Sequence, residues 1–566
     1  MLGRMLAGLL RRRGTAAERS YGQATSSRER GDWVQAIDLY RRTLMAQPDH
    51  AQAHNDLGTA LCATGDYAGA RAAFAQALAL REHLVPAHVN MGQLLFSEFR
   101  DYRQAASHYR VALASDPGQN QARTGLALAL YECGLVEEAV ECLREAVQRS
   151  PDDATAHQFM LFMSNALAHR DPEPWHDLHR LWGQRHADGL PRYAHPPRQA
   201  GVRLRVGYVS ADFREHATAN FVATMLAGHD PKVCEIVCYG NSSETDSVTV
   251  EMQRYAHLWR RIDALDDAQA ARLIRDDAID ILVDLSGHTR GNRLGVFARK
   301  PAPVQIAYLG YLNTTGMAAM DYRITDANAD PPGAERFHSE TLLRMPQSSW
   351  CCRPPGDAPP VATLPAQRSG YVTFGSFNHI AKLNADVLET WAELLCRLPG
   401  SRLQVMAVPD EEAGARICAS LQAHGVDSSQ IRTSPRLPRG QYWQQHADID
   451  IALDPFPYTG GATTFESLWM GLPVVTLAGN FGFARSAATV LVNAGLPECI
   501  AADRRQYLEI ACRLAGDLTL LADMRRGMRE RVRASPILDA PRFGAALEHL
   551  YRGAWREWCA QRGRHA

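Results

Sequence analysis

Along the first 160 residues, small and large apolar positions recur with a long period. Ala36, Ala70, Ala105 and Ala139 stand 34, 35 and 34 residues apart, and Tyr40, Phe74, Tyr109 and Leu143 follow each of them four positions later. Turn signals separate the apolar stretches (Gly31-Asp32, Gly65-Asp66, Arg100-Asp101, Gly134-Leu135), and the units close near Pro48, Glu82, Pro117 and Pro151. This pattern predicts helix pairs: a small side chain lets two helices approach, and the large residue one turn on fills the adjacent groove. One extra residue near Phe99 should lengthen a turn and leave the next helix in register. Past about Leu167 the period fades into a Trp- and Leu-containing stretch that predicts two further helices, and HPPRQAG, ending at Gly201, reads as a boundary. From Val202 the pattern becomes short β-rich runs between helical stretches: RVGYVSAD, EIVCYGN, IDILVDLSG, VQIAYLG and YRITD. A second series, YVTFGSF, RLQVMAV, IDIALD and PVVTLAG, follows the proline-rich CCRPPGDAPPVATLPAQRSG. Near-continuous apolar strands between helices predict parallel sheets covered on both faces.

The repeat period is that of tetratricopeptide arrays. Such an array is either a buttress or a concave surface for extended polypeptide. The expected organisation is a tail over 1–22, repeats over 23–167, a helical linker over 168–201 and a first Rossmann-like domain over 202–350. A linker over 351–370, a second Rossmann-like domain over 371–535 and a helical segment over 536–566 complete it. Two doubly wound halves make the cleft between them the expected ligand site. The last segment should pack across both.

Composition narrows the function. With 61 Lys+Arg against 62 Asp+Glu the net charge is −1, which leaves no global field for a polyanion, so nucleic acid is not an expected partner. Twelve cysteines are spread along the chain, and Cys234/Cys238 and Cys351-Cys352 lack zinc-site spacing. A reducing cytoplasm and no metal site are expected. The start, MLGRMLAGLLRRRG, has an apolar run too short for a signal or a span.

The chemistry concentrates in DIDIALDPFPYTGGATTFESLWMGLPVVTLAGN. A strand ends at Asp454, Gly460-Gly461 turn, and Thr463 and Thr464 open a helix. Exposed amide N–H groups, two hydroxyls and little side-chain bulk suit a diphosphate, although such turns are also common structural features. Glu466, one turn in, suits a ribose diol. The absence of GxxxxGK[ST] argues against ATP hydrolysis. In FGSFNHIAKLN, Lys382 follows a strand end, where an ammonium would neutralise a departing diphosphate. In the first half, His216 in GYVSADFREHATANF, and Asp284, His288 and Arg290 in DLSGHTRGNR, also follow strands.

With the repeats, the motifs GYVSADFREH, ILVDLSGHTRG, PAPVQIAYLGYLNTTG, MDYRITD, FGSFNHIAKLN and GGATTFESLWMGLPVVT resemble the protein O-linked N-acetylglucosamine transferases and their SPINDLY-like relatives. The resemblance runs from about Gln23 onward. It implies a GT-B-type pair of domains, inverting transfer without a metal or other cofactor, UDP-N-acetylglucosamine as sugar donor, and Ser/Thr hydroxyls of polypeptide as acceptor, reached through the repeat groove. It places the active-site histidine at His216 and the diphosphate lysine at Lys382. The resemblance also puts helix-start donors at Thr463 and Thr464, the ribose acid at Glu466, uracil contacts at Leu437 and Arg439, and a sugar-facing loop at Leu309-Gly310-Tyr311. His379, Gly461 and Tyr442 stand where the animal enzymes carry glutamine, histidine and histidine. A transferase using GDP-fucose or UDP-glucose, and an inactive scaffold that binds a nucleotide, are the alternative readings.

Overall fold

The computed structural model of the chain describes residues 16–167, 172–480 and 482–563. The basic N-terminal segment discussed above lies outside the described residues. The chain divides into two compact units, one ending at Pro151 and the other beginning at Asp152.

In the first unit, helices Ala16–Glu29, Trp33–Ala46, Ala51–Ala63, Tyr67–Leu80, Val85–Leu94, Tyr102–Ser115, Asn120–Glu132 and Val136–Arg149 follow one another. The four periodic alanines are fully buried. A Cβ on Gly58 would stand 2.5 Å from the Phe74 ring, and one on Gly125 would stand 2.4 Å from the Tyr109 ring. Phe74 and Tyr109 therefore each seat on a glycine of a neighbouring helix. Asp32, Asp66 and Asp101 cap the second helix of a pair by accepting the N–H three residues on. The extra residue is absorbed by a π-helical turn over Leu95–Phe99, which leaves Arg100 left-handed at φ +52° where Gly31 and Gly65 stand in other repeats.

The tail is expected to reach residue 22, and the chain is helical from Ala16, with Ala17, Ala24 and Ser27 buried within an otherwise polar stretch. The first compact unit ends at Pro151, and helix Ala154–Ser164 lies in the second, where Leu161 joins a core with Trp182, Val209 and Leu282.

The second unit holds two parallel sheets. The first contains β1 (Leu204–Ser210), β2 (Cys234–Gly240), β3 (Leu258–Arg261), β4 (Ile281–Asp284), β5 (Val304–Ala307), β6 (Tyr322–Asp326) and β7 (Thr341–Met345), in the order β3-β2-β1-β4-β5-β6-β7. The second contains β8 (Thr373–Ser376), β9 (Arg402–Val408), β10 (Ile431–Pro435), β11 (Ile451–Leu453), β12 (Val474–Leu477) and β13 (Ile500–Ala501), in the order β10-β9-β8-β11-β12-β13. Val206 pairs with Ile281 and Phe374 with Ile451, so in each sheet the order reverses beside the first strand.

Helix Ala540–Gly563 returns to the first sheet and packs on helix Ala219–Ala227. A Cβ on Gly544 would meet the Gly228 carbonyl at 1.9 Å, so only glycine permits this approach. The Tyr551 and Tyr208 hydroxyls lie 2.9 Å apart, and His229 Nδ1 lies 3.0 Å from Glu548 Oε1. Cys234 lies beside His229 and Glu548, but His229 already uses both nitrogens, on Tyr208 and Glu548. Among the described residues no helix is long and apolar enough to cross a membrane.

Candidate active site

Ligands of doubly wound sheets bind beyond the carboxyl ends of the strands where the order reverses. In the second sheet that point lies between β8 and β11, and the segments leaving these two strands carry Lys382 and the Gly460–Thr464 turn.

Asp454, immediately after β11, organises the turn. Its buried carboxylate accepts from Gly460 N–H at 2.8 Å, the Thr476 hydroxyl at 2.7 Å and Asn378 Nδ2 at 3.2 Å. Burial pushes its pKa up to about 6 against these bonds. Asn378 Oδ1 in turn accepts from Lys382 Nζ at 3.4 Å and from the Thr463 hydroxyl at 3.3 Å. Lys382 Nζ also donates to the Thr459 carbonyl at 2.9 Å and lies 4.1 Å from the Tyr458 ring centre. Burial lowers its pKa to about 8, with Asp454 opposing. The hydrogen bonds of this ammonium thus go to neutral oxygens.

A Cβ on Gly460 would stand 2.6 Å from Thr463 Oγ1 and 2.8 Å from both Asp454 Oδ1 and Thr464 Oγ1. Glycine therefore keeps open a cradle on which a lysine, two hydroxyls and the start of helix Ala462–Trp469 converge. Thr464 Oγ1 is buried there without a hydrogen-bond partner among the described residues. A Cβ on Gly461 would lie 2.4 Å from the ring of Trp350, which also packs edge-on against Phe221. The indole thus fills the space that a histidine side chain would need.

Glu466 accepts from the Tyr442 hydroxyl at 2.6 Å, and its pKa is raised by burial. Leu437 is half-buried in the loop after β10. Arg439 is exposed, pairs with Asp357 at 2.7 Å and stacks 5.3 Å from the Trp443 ring. His379 Nδ1 accepts from Ala381 N–H at 3.2 Å, starting the short turn that carries Lys382.

In the first half, the order reverses between β1 and β4. His216 is exposed on the loop after β1, and the neighbouring Glu215 carboxylate is among the charges that raise the Arg439 pKa across the cleft. His216 Nδ1 lies 2.9 Å from the Thr218 hydroxyl and accepts from Thr218 N–H at 3.3 Å. An N–H can only donate, so the proton of the neutral ring sits on Nε2. Asp212 Oδ2 lies 3.7 Å from Nδ1, and its own pKa is raised by burial and lowered by His216.

Three residues of this half make structural contacts. Tyr311, expected to face a sugar, is buried, and its hydroxyl bonds His179 Nε2 at 2.7 Å and Asn165 Nδ2 at 3.2 Å. Gly310 serves close packing, since a Cβ there would stand 2.0 Å from the Leu285 carbonyl. His288 is a core residue: its Nε2 bonds the Thr315 carbonyl at 2.9 Å, its ring packs on Trp182 and Tyr311, and burial drives its pKa well down. Asp284 accepts from the N–H groups of Ser286 and Gly287, and Arg290 is exposed. Asn378, Thr459, Tyr458 and Trp350 were not singled out from sequence. An asparagine directly after strand YVTFGSF was a usable signal, whereas nothing in the sequence links Trp350 to a turn more than a hundred residues away.

Two Rossmann-like domains in GT-B arrangement, preceded by helical repeats, define the class of the molecule. The model described as Glycosyl transferase family 41 matches residues 187–352 and 363–547, and models described as Tetratricopeptide repeat match 21–83 and 96–160. An O-GlcNAc transferase of Thermobaculum terrenum, solved as a lysine-to-methionine mutant, superposes with a TM-score of 0.81 at 33% identity, covering 97% of this chain and 100% of that one. A probable UDP-N-acetylglucosamine-peptide N-acetylglucosaminyltransferase SPINDLY of Hordeum vulgare is 37% identical over 421 residues, 73% of this chain and 45% of that protein. The corresponding protein SEC of Arabidopsis thaliana is 28% identical over 390 residues, 66% of this chain and 40% of that protein. The chain spans less than half the length of these curated relatives. It belongs to glycosyl transferase family 41.

Proposed function

We propose that the chain transfers N-acetylglucosamine from UDP-N-acetylglucosamine to Ser or Thr hydroxyls of polypeptide, with inversion at the anomeric carbon. The hydroxyl oxygen attacks that carbon from the face opposite the diphosphate, the carbon–oxygen bond to the diphosphate breaks, and UDP departs with the electron pair. Lys382, the Thr463 and Thr464 hydroxyls and the N-terminal amides of helix Ala462–Trp469 take up the charge on the leaving group, the task a divalent cation performs elsewhere. His216 receives the hydroxyl proton. For this its ring exchanges Thr218 for Asp212 at Nδ1, which moves the ring proton there and frees Nε2 as acceptor. Tyr442 and Glu466 hold the nucleoside side. The repeats supply the surface for extended polypeptide, the role that tetratricopeptide arrays commonly serve.

The observation that carries this reading is the cradle itself: a buried ammonium bonded to neutral oxygens beside an unpartnered Thr464 hydroxyl, at the switch point of the second sheet. Calorimetry of the full chain with UDP, UDP-N-acetylglucosamine, UDP-glucose and GDP-fucose in the presence of chelator tests it. Preferred binding of UDP-N-acetylglucosamine, with UDP released only when a Ser/Thr peptide is added, is expected. No uptake of UDP removes the enzymatic reading. Preference for another nucleotide sugar reassigns the sugar donor.

A further inference from the structure

Helix Glu173–His186 lies just before the part of the chain matched by the glycosyltransferase model, yet it packs on the loop after β5 and on Tyr458 beside Lys382. At His179 the hydrogen-bond directions are fully determined. Nδ1 faces the Trp175 carbonyl at 2.6 Å, an acceptor only, so Nδ1 carries the proton. Burial holds the ring neutral, with its pKa pushed down to about 4, so Nε2 is an acceptor and Tyr311 must donate to it. Asn165 then donates to the Tyr311 oxygen. The backbones also meet directly: a Cβ on Gly183 would stand 2.0 Å from the Gly316 carbonyl, and one on Gly316 would stand 2.0 Å from the His179 carbonyl. Loop 309–316 is thus clamped at Tyr311 and Gly316 by one helix. On the other side, Trp175 packs with Phe483 and Ala484, against Leu178, Leu312 and Tyr458, and Tyr458 is the ring beneath Lys382.

We propose that His179 is a positioning residue of the transfer reaction, and that helix Glu173–His186 sets loop 309–316 relative to Lys382. The proposal rests on the transferase reading for its effect on rate, but the clamp itself is testable without catalysis. The full chain is compared with Tyr311→Phe, His179→Ala and His179→Gln. Tyr311→Phe keeps the ring volume if His179→Ala fails to fold, and glutamine restores an acceptor near the Nε2 position. In Tyr311→Phe and His179→Ala, hydrogen exchange over residues 308–317 should accelerate. Their kcat should fall roughly 10- to 100-fold, the scale of an ångström-sized misplacement. The Kd for UDP should stay unchanged, and His179→Gln should recover most of the loss. Unchanged exchange overturns the proposal, as does accelerated exchange with unchanged kcat or a loss confined to UDP affinity. If the unaltered chain binds UDP but transfers no sugar, the transferase reading fails by itself, and the exchange comparison decides whether the helix holds the loop.

Discussion

Replacing Lys382 with alanine separates a lysine that serves the fold from one that awaits an anion. A lysine whose pKa falls from 10.5 to about 8 costs the fold about 3 kcal/mol at neutral pH. Its folded pKa is the depressed one, so this cost is present below pH 8 and fades as pH rises toward 10.5. Against it stand one good hydrogen bond to Thr459, a long one to Asn378 and burial of the stem, together worth about 1–3 kcal/mol. Lys382→Ala should therefore unfold at the same temperature as the parent or higher, as read by calorimetric melting. Catalysis should respond in the opposite direction. Loss of one donor aimed at developing charge costs about 10²–10³-fold in rate, or about 2.7–4 kcal/mol. Release of UDP from UDP-N-acetylglucosamine in the presence of a Ser/Thr peptide measures that loss. The parent adds a second readout: kcat/KM should decline above about pH 8, as the free site loses its ammonium proton. A variant that melts lower yet turns over normally would refute the assignment and make Lys382 a structural residue.

Three further outcomes are expected. His216→Ala should lower kcat by about 10²–10⁴-fold with UDP affinity intact, and Asp212→Asn should lower it less, since Asp212 acts by fixing the ring tautomer; a loss confined to sugar-donor affinity in stopped-flow titrations would assign both to binding. Gly461→Ala should cost about 1–3 kcal/mol in urea melts because its methyl meets the Trp350 indole, and a smaller residue at 350 should recover part of this; strictly additive effects would show that the two do not touch. Buried His179 and His157, both with pKa near 4, bind protons less readily in the folded chain than in the unfolded one. Stability should thus fall as pH drops from about 6.5 to 4, by on the order of 3 kcal/mol for His179. Urea midpoints for His179→Gln should show a shallower slope, and an identical slope would contradict the shift.

What the sequence disclosed follows from where each element sits. Strands buried on both faces, such as β1 and β4, are almost wholly apolar and were legible as IDILVDLSG-type runs. The strands that escaped notice, β3, β7, β10 and β13, are the outermost of their sheets. An edge strand shows one side to solvent, so LWRR and IRTSP carry too little apolar signal to stand out. The start of the opening repeat helix, expected near residue 23 and found at Ala16, was blurred for a related reason, since the helix buries alanines and a serine in place of a large periodic residue.

The site divides along the same line. Glycines and hydroxyls at a strand-to-helix turn announce themselves, because few other residue types tolerate that backbone and present those donors. His288 looked functional by its position after a strand and Tyr311 by the family resemblance, yet both point into the fold, because a residue after a parallel strand has two directions open to it and the sequence records neither. What decides between them is the partner: Tyr311 meets His179, more than a hundred residues upstream, and Gly461 meets Trp350 from the opposite half. The departure at Gly461 is thereby accounted for by packing. A histidine there would collide with the indole, so the donors of the cradle are Lys382, Thr463 and Thr464, and a family comparison that scored position 461 alone would understate how many of them converge on this turn.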